Sequence, residues 1–393
     1  MSSALSLPLS PRWRGETEEA APARWREGAA RARALLLALA LAAPPVAARA
    51  AGGIFTDPVD GAFDLDRFLA SRYGFVPILV PITEPAVGYG AAAGLVFIHG
   101  RLAAQEADPG ARRVPPSLSA AVGMATSNGS WGAAAAHLGH WNDGDVRYLG
   151  AAAYTSMELT AYSGDQRVRF RLEAVPVVQD LTFRLFGSDL SAGARYAFAG
   201  TRVNLEAGGA NVESRDLRVL LSGLGPVLRW DGRDSIFSPS RGVRAEASVT
   251  WYAPWLGSDR DGWRARIAEV AYGPLLPWLV TALRLDLQLS GGDLPFWFRP
   301  FVGLRGIPAL RYQGQHVFVA EAEERIDFTQ RWSAVVFGGV GAATAVPAPT
   351  LVGSGGTGFR YLVARQFGIR MGLDVARGPE EWGVYVIFGN AWN

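Results

Sequence analysis

The chain has 393 residues, 49% of them apolar and 11% aromatic, with 47 glycines and a formal net charge of +2. That balance supplies no basic field for a nucleic-acid partner. With no cysteine, disulfides, thiolate metal centres and a cysteine nucleophile are excluded. Every basic residue is arginine, which reads as codon usage rather than chemistry.

Near the N-terminus, Arg24, Arg26, Arg31 and Arg33 precede the apolar run ALLLALALAA (34–43), and the segment ends in Ala48-Arg49-Ala50. A basic region, a short apolar core and a small-residue site make a secretory signal peptide. The core is too short to span a bilayer as a helix. Residues 1–50 are therefore set aside, 51–85 read as a lead-in, and 86–393 as the folded domain, exported from the cytoplasm. Within the lead-in, FDLDRFLASRYG (63–74) predicts a short amphipathic helix. Asp64 is its N-cap, Leu65, Phe68 and Leu69 share a face, and Gly74 closes it. Such a helix would lie on a membrane surface or tuck against the mouth of the domain.

No later run of 18 or more apolar residues occurs, so no transmembrane helix is expected. Alternation of period two recurs instead. In RVRFRLE (167–173), Val168, Phe170 and Leu172 oppose Arg167, Arg169 and Arg171. In LRLDLQLS (283–290), four leucines oppose Arg284, Asp286, Gln288 and Ser290. In FGIRMGLDVA (367–376), an apolar face opposes Arg370 and Asp374. This pattern fits a soluble sandwich with polar residues outward or a membrane barrel with polar residues inward.

Length and number decide between the two. Strand-like segments fall at 86–100, 116–126, 130–141, 145–156, 166–176, 178–187, 189–200, 217–230, 241–254, 261–272, 278–290, 315–327, 332–343, 352–364, 367–377 and 382–391, an even set of sixteen. Soluble strands average about five or six residues, whereas tilted membrane strands need about nine. Short links such as 127–129 and 187–189 alternate with long ones at 101–115, 201–216 and 291–315, which places the long links on the outer side. The expectation is an all-β, sixteen-stranded antiparallel transmembrane barrel.

Enzymatic chemistry is not indicated. No Gly-x-Ser-x-Gly elbow occurs, and GSGGTG (353–358) lies among strands, where glycines serve hairpins rather than a dinucleotide. His137 and His140 imitate a ligand pair, but their odd spacing puts them on opposite faces of a strand. No metal, cofactor or enzyme activity is expected.

Several stretches resemble the BamA/TamA family of outer-membrane barrels, also called the bacterial surface antigen family. They are FVPILVPITEPAVGYGAAAGLVF (75–97), WDGRDSIFSPSRG (230–242), LRGIP (304–308), EAEER (321–325) and GFRYLVARQFGIRMGLDVARGP (358–379). The resemblance implies sixteen strands and a long loop after the eleventh, 291–315, folded into the lumen with Arg305 and Gly306 at its tip. It implies a carboxylate partner at Glu323, with Arg325 on the same inward face. A second family carboxylate is replaced by Gly339, and Asp374 is the candidate substitute. Asp231, Arg233, Asp234, Pro239 and Gly242 read as a stabilised turn on the periplasmic side. Glu324 points at lipid and belongs near a rim. Trp392 would supply the aromatic that ends the closing strand.

The resemblance further implies a monomer in the bacterial outer membrane, contacting its lipids and acting on unfolded outer-membrane proteins or lipid clients through a lateral seam. In this reading the seam joins 86–100 to 382–391 and is weakened by Gly88, Gly90, Gly94, Gly383 and Gly389. The family's periplasmic POTRA module has no room between Ala51 and Ala86. The alternative reading is a passive pore or structural surface antigen.

Overall fold

The computed structural model describes residues 53–71, 74–84, 86–99, 116–163, 166–205, 216–344 and 349–392. The expected signal peptide and the 101–115 connection lie outside them. After the helix α1 (Asp66–Ser71) come β1 (Gly74–Ile82), β2 (Gly90–His99), β3 (Ser117–Thr126), β4 (Trp131–Trp141), β5 (Val146–Ser163), β6 (Gln166–Arg184), β7 (Leu190–Leu205) and β8 (Asp216–Asp231). They are followed by β9 (Gly242–Tyr252), β10 (Gly262–Leu276), β11 (Leu279–Gly292), β12 (His316–Asp327), β13 (Trp332–Ala343), β14 (Thr350–Ala364), β15 (Ile369–Arg377) and β16 (Trp382–Phe388). All sixteen form one antiparallel sheet in sequence order. The sheet curls until β1 and β16 meet, where Thr83 Oγ1 donates to the Val384 carbonyl. Among the described residues no backbone ladder joins these two strands, so the barrel is nearly closed.

The count of sixteen agrees with the sequence expectation, but two differences offset each other. The first strand is 74–82, hidden from the sequence reading by Pro77 and Pro81. Proline cannot donate to a ladder and is confined to edges, and β1 is an edge. The segments 166–176 and 178–187 are one strand, β6. Pro176 leaves a gap in the register with β5, between Ala152↔Val177 and Thr155↔Ala174, while the ladder to β7 runs through it. A ladder gap had read as a turn.

The added first strand reverses the sense of the strands up to the merged β6, while β7 onward keep theirs. β2 therefore ends, and β3 starts, at the end of the barrel opposite the 293–315 loop, not on the same side as the sequence reading placed them. We call the end bearing 293–315 the loop end and the other the turn end.

Along β11, Leu283 and Leu285 face outward and are exposed, while Asp286 faces inward and is fully buried. RVRFRLE behaves otherwise. Phe170 is buried inside the barrel against Leu310 of the loop, so Arg169 and Arg171 point outward. The reason is length: β5 and β6 have 18 and 19 residues, about twice what a tilted membrane strand needs. Their loop-end portions stand clear of an apolar band and turn their apolar stripe onto the loop. Glu324, outward on β12, accepts from Thr281 Oγ1 at 2.8 and 2.9 Å, close to the turn-end start of β11.

The segment before β1 is built against the turn end. Arg331, between β12 and β13, is buried and meets Asp57, Asp60 and Asp64 at once. The Leu65 amide donates to the Val363 carbonyl at 2.7 Å, and the Gln366 amide donates to Asp66 Oδ2 at 2.8 Å. Leu65, just before α1, and Leu69 within it pack on Val363, Ala364 and Ile369.

The Arg331 guanidinium hydrogen-bonded to Asp60 holds that carboxyl below the usual range. A depressed folded-state pKa contributes docking stability that is complete above the ordinary Asp value of 3.8 and lost as pH falls through the depressed one. We expect the Leu65 amide to keep its protection at neutral pH and to lose it in acid below that value, while mid-barrel amides of β10 and β11 stay protected. Hydrogen exchange corrected for intrinsic rates measures this.

Candidate functional site in the barrel lumen

The connection between β11 and β12 enters the lumen because its own sequence is apolar at intervals that match the wall. Phe296 meets Phe170 edge-on at 5.5 Å, and Phe298 meets Tyr252 at 5.3 Å. Val302, Leu304 and Ile307 pack on Val317, Val319, Ala343 and Val352. The loop also closes on itself, with the Val302 amide donating to Tyr312 O at 2.9 Å and Gly314 to Pro300 O at 3.1 Å.

Arg305 sits at the tip, 9% exposed. Its Nε donates to Glu321 Oε1 at 2.9 Å, and Nη1 donates to Glu323 Oε2 and Asp374 Oδ2, both at 2.7 Å. Its guanidinium carbon lies 3.4 Å from the centre of the Phe337 ring and 5.6 Å from that of Trp392. The carboxylates are themselves held: Arg360 Nη2 donates to Asp374 Oδ2 at 3.0 Å. Arg284 Nη2 donates to Asp286 Oδ2 at 2.9 Å, and its Nη1 donates to the loop carbonyl of Gly303 at 3.0 Å. Arg266 completes the network on Asp286 at 2.8 Å. Four guanidiniums (Arg266, Arg284, Arg305, Arg360) thus face four carboxylates (Asp286, Glu321, Glu323, Asp374), a balance that makes their burial tolerable.

Neighbouring glycines make room for the tip. Gly306 has φ +88°, and a Cβ there would stand 2.8 Å from the Gly378 amide nitrogen. Its own amide donates to Tyr385 OH on β16 at 2.7 Å. Gly339, the position of the missing family carboxylate, is filled by the loop: a Cβ there would meet Leu304 Cδ2 at 2.8 Å.

The other sequence-nominated residues divide. Arg325 does not join the Arg305 cluster. It reaches the 232–241 turn, with Nη2 on Ser240 Oγ at 2.8 Å and Nη1 on the Pro239 carbonyl at 3.2 Å. Within that turn Arg233 grips Asp231 with two bonds, of 2.8 and 2.9 Å. The Ser240 amide donates to Asp234 Oδ1 at 2.9 Å, and Gly242 takes φ +101°. Gly88, Gly90 and Gly94 lie off the seam, because β2 is not the first strand. Gly88 is in the β1–β2 connection at φ +79°, and a Cβ on Gly90 or Gly94 would strike β3 backbone. Gly383 clears space for the Tyr385 ring, whose hydroxyl would lie 2.5 Å from an added Cβ. Gly389, at φ +78°, turns the chain after β16.

Trp392 is not on the closing strand, which ends at Phe388. The tail after Gly389 bends into the lumen, and Trp392 Nε1 donates to Glu321 Oε2 at 2.8 Å. Glu321, Arg284, Arg360 and Tyr385 were not singled out as partners from sequence. Their inward alternation marked some of them as lumenal, but which would meet depended on the path of the loop. His137 and His140 face opposite sides of β4. His137 Nδ1 contacts Ser119 Oγ at 2.8 Å, and no cluster of metal-binding side chains occurs among the described residues.

No protein-family model matches the sequence, and no curated protein matches it. Solved structures do. BamA from Haemophilus ducreyi lacking POTRA domains 1–3 superposes with a TM-score of 0.57 at 13% identity, over 81% of this chain and 70% of that one. CdiB from Escherichia coli gives 0.57 at 11% identity, over 81% and 62%. CdiB from Acinetobacter baumannii gives 0.53 at 10%, over 81% and 60%. The chain spans less than two thirds of either CdiB. At these identities the fold is what is shared: an all-β barrel of sixteen strands of the BamA and CdiB type.

Replacing Arg305 with alanine leaves Glu321, Glu323 and Asp374 buried with one cation fewer, a change that typically costs about 3–5 kcal/mol. We expect Arg305→Ala to lower the denaturant midpoint in detergent and expose 293–315 to protease. Arg305→Lys should recover only part of the loss, because one ammonium cannot serve three carboxylates in a planar fork.

Proposed function

We propose that the protein is an outer-membrane barrel that assists insertion or translocation of proteins or lipids through a lateral seam between β1 and β16. The observation that carries this reading is the junction itself. Fourteen of the strands have ladders on both sides, whereas β1 and β16 each have one. Lipid offers no substitute for missing backbone hydrogen bonds, so an unladdered junction is the part of the wall that opens at least cost. Pro77 and Pro81 lie four residues apart and so face the same way. Since β1 is fully laddered to β2, their missing N–H groups are those that would point at β16.

The loop and the tail are anchored beside this junction. Gly306 bonds Tyr385 of β16, Arg305 bonds Asp374 of β15, and Trp392 follows directly from β16. Movement at the seam is thereby coupled to the lumenal ion network. The loop packs on the inner wall through Val302, Leu304 and Ile307, and Trp392 borders two cavities of about 230 Å³ each; a lumen so occupied favours the seam over a passive pore. Outward leucines and aromatics, the alternation and the shared fold support an outer-membrane site, with the termini facing the periplasm. No step of this reading calls for covalent chemistry.

Thr83 and Val384 adjoin across the junction, where the Thr83 hydroxyl donates to the Val384 carbonyl, and the chain contains no cysteine of its own. A Thr83→Cys, Val384→Cys pair should form a disulfide that arrests client insertion into proteoliposomes and releases it on reduction, with barrel content unchanged. Undiminished activity in the oxidised form would sink the seam mechanism, and a steady open conductance in planar bilayers would favour the pore. Conversely, Pro77→Val with Pro81→Val restores two donors at the junction. Amides of β16 should then exchange more slowly than in the parent protein.

A further inference from the structure

The residues ahead of α1 make an aromatic face that none of the described barrel residues covers. The helix gives that face only Phe68, since Leu69 and the preceding Leu65 are already spent on Val363, Ala364 and Ile369. Residues 53–63 instead fold back through a Thr56↔Phe63 bridge, with the Asp64 amide donating to Phe55 O at 3.0 Å. The turn presents Ile54, Phe55, Val59 and Phe63, exposed by 43%, 44%, 77% and 53%. Phe55 stacks on Phe63 at 6.2 Å and tilts against Phe68 at 5.4 Å, so three rings form one surface.

Two observations identify what this surface meets. The first is position. Tyr361 OH donates to the Phe63 carbonyl at 2.9 Å, and Tyr361 stands beside Trp332 at 4.7 Å, with Trp332 in turn 5.9 Å from Phe359. Trp332 and Phe359 are outward and exposed at the turn end, where a membrane barrel carries its aromatic girdle. The Phe55–Phe63–Phe68 surface therefore continues that girdle beyond the rim. The second is charge. The segment's carboxylates turn the other way, onto Arg331 and Arg365, leaving the aromatic face without the anions that phospholipid phosphates would repel.

We infer that residues 53–63 form a foot that rests on the membrane, with Ile54, Phe55 and Phe63 seated at the boundary between headgroups and acyl chains of the leaflet at the turn end. The partner is a phospholipid surface. Aromatic rings are favoured at that depth because they bury an apolar body near polar headgroups. The Arg331 hub fixes the foot to the barrel, so it lies at a set height against the β12–β13 turn and the end of β14. This inference rests on the reading of the barrel as membrane-embedded, and the test separates the two.

Single cysteines can be placed without background in this cysteine-free chain. Spin labels at Phe63→Cys and, as a second foot position making fewer contacts, Ile54→Cys are compared with Leu285→Cys on the outward wall and Asp261→Cys in the loop-end connection. The protein is reconstituted in vesicles of phosphatidylethanolamine and phosphatidylglycerol, and collisions with oxygen and with a water-soluble nickel chelate are measured. The foot labels should show an oxygen-to-nickel ratio several-fold above that at Asp261 and close to that at Leu285. A nickel-dominated signal at both foot positions, with Leu285 in lipid, overturns the inference and leaves the barrel reading intact. Protection from both reagents would mean that a second copy or another protein covers the face, and also overturns it. A water-like signal at Leu285 would instead overturn the membrane reading itself.

Discussion

Removing a guanidinium from water costs several kcal/mol unless anions meet it in good geometry, and that constraint organises the lumen. Arg305 reaches the wall at the end of a long connection and finds Glu321, Glu323 and Asp374 on two strands, β12 and β15. Neither partner set is stable without the other. The loop would carry a buried uncompensated cation, and the wall would carry clustered anions. Planar, multidentate geometry makes arginine suited to this task where lysine is not.

The consequences spread outward from that contact. A loop tip held against β12, β15 and β16 needs backbone close to backbone, which is why Gly306 faces Gly378 and why Leu304 occupies the space over Gly339. The tail enters the same site through Trp392. Three parts of the chain that are far apart in sequence thus converge beside the junction of β1 and β16, which has no ladder among the described residues. A barrel that opened there would have to rearrange or carry with it the ion network in its lumen.

Charge also organises the turn end, in a second cluster of the same kind. Arg331 gathers Asp57, Asp60 and Asp64 and gives a segment too short for a core of its own a fixed place. The apolar side chains of that segment then divide into those packed on β14 and β15 and those left facing outward.

Much of this was legible in the sequence. Period-two alternation with charged inward faces fixed the class, since only a closed barrel satisfies every backbone group in lipid while hiding Arg284, Asp286 and Asp374. Turn chemistry at 230–242 was equally local and equally readable. What failed did so for identifiable reasons. Prolines at 77 and 81 disguised a strand whose edge position is what tolerates them, and Pro176 imitated a turn by breaking one of two ladders. Gly88, Gly90 and Gly94, assigned to the seam, followed the wrong first strand. In RVRFRLE the period was right and the side was wrong, because alternation says that two faces differ and not which of them meets water. Local propensity and periodicity act within a few residues, so the sequence alone determined most of the strands and the polarity of most faces, and the agreement in their number came from two offsetting errors. Which inward charges meet, where Trp392 ends and what the N-terminal aromatics border depend on contacts between segments up to several hundred residues apart, and only the closure of the sheet brings those together.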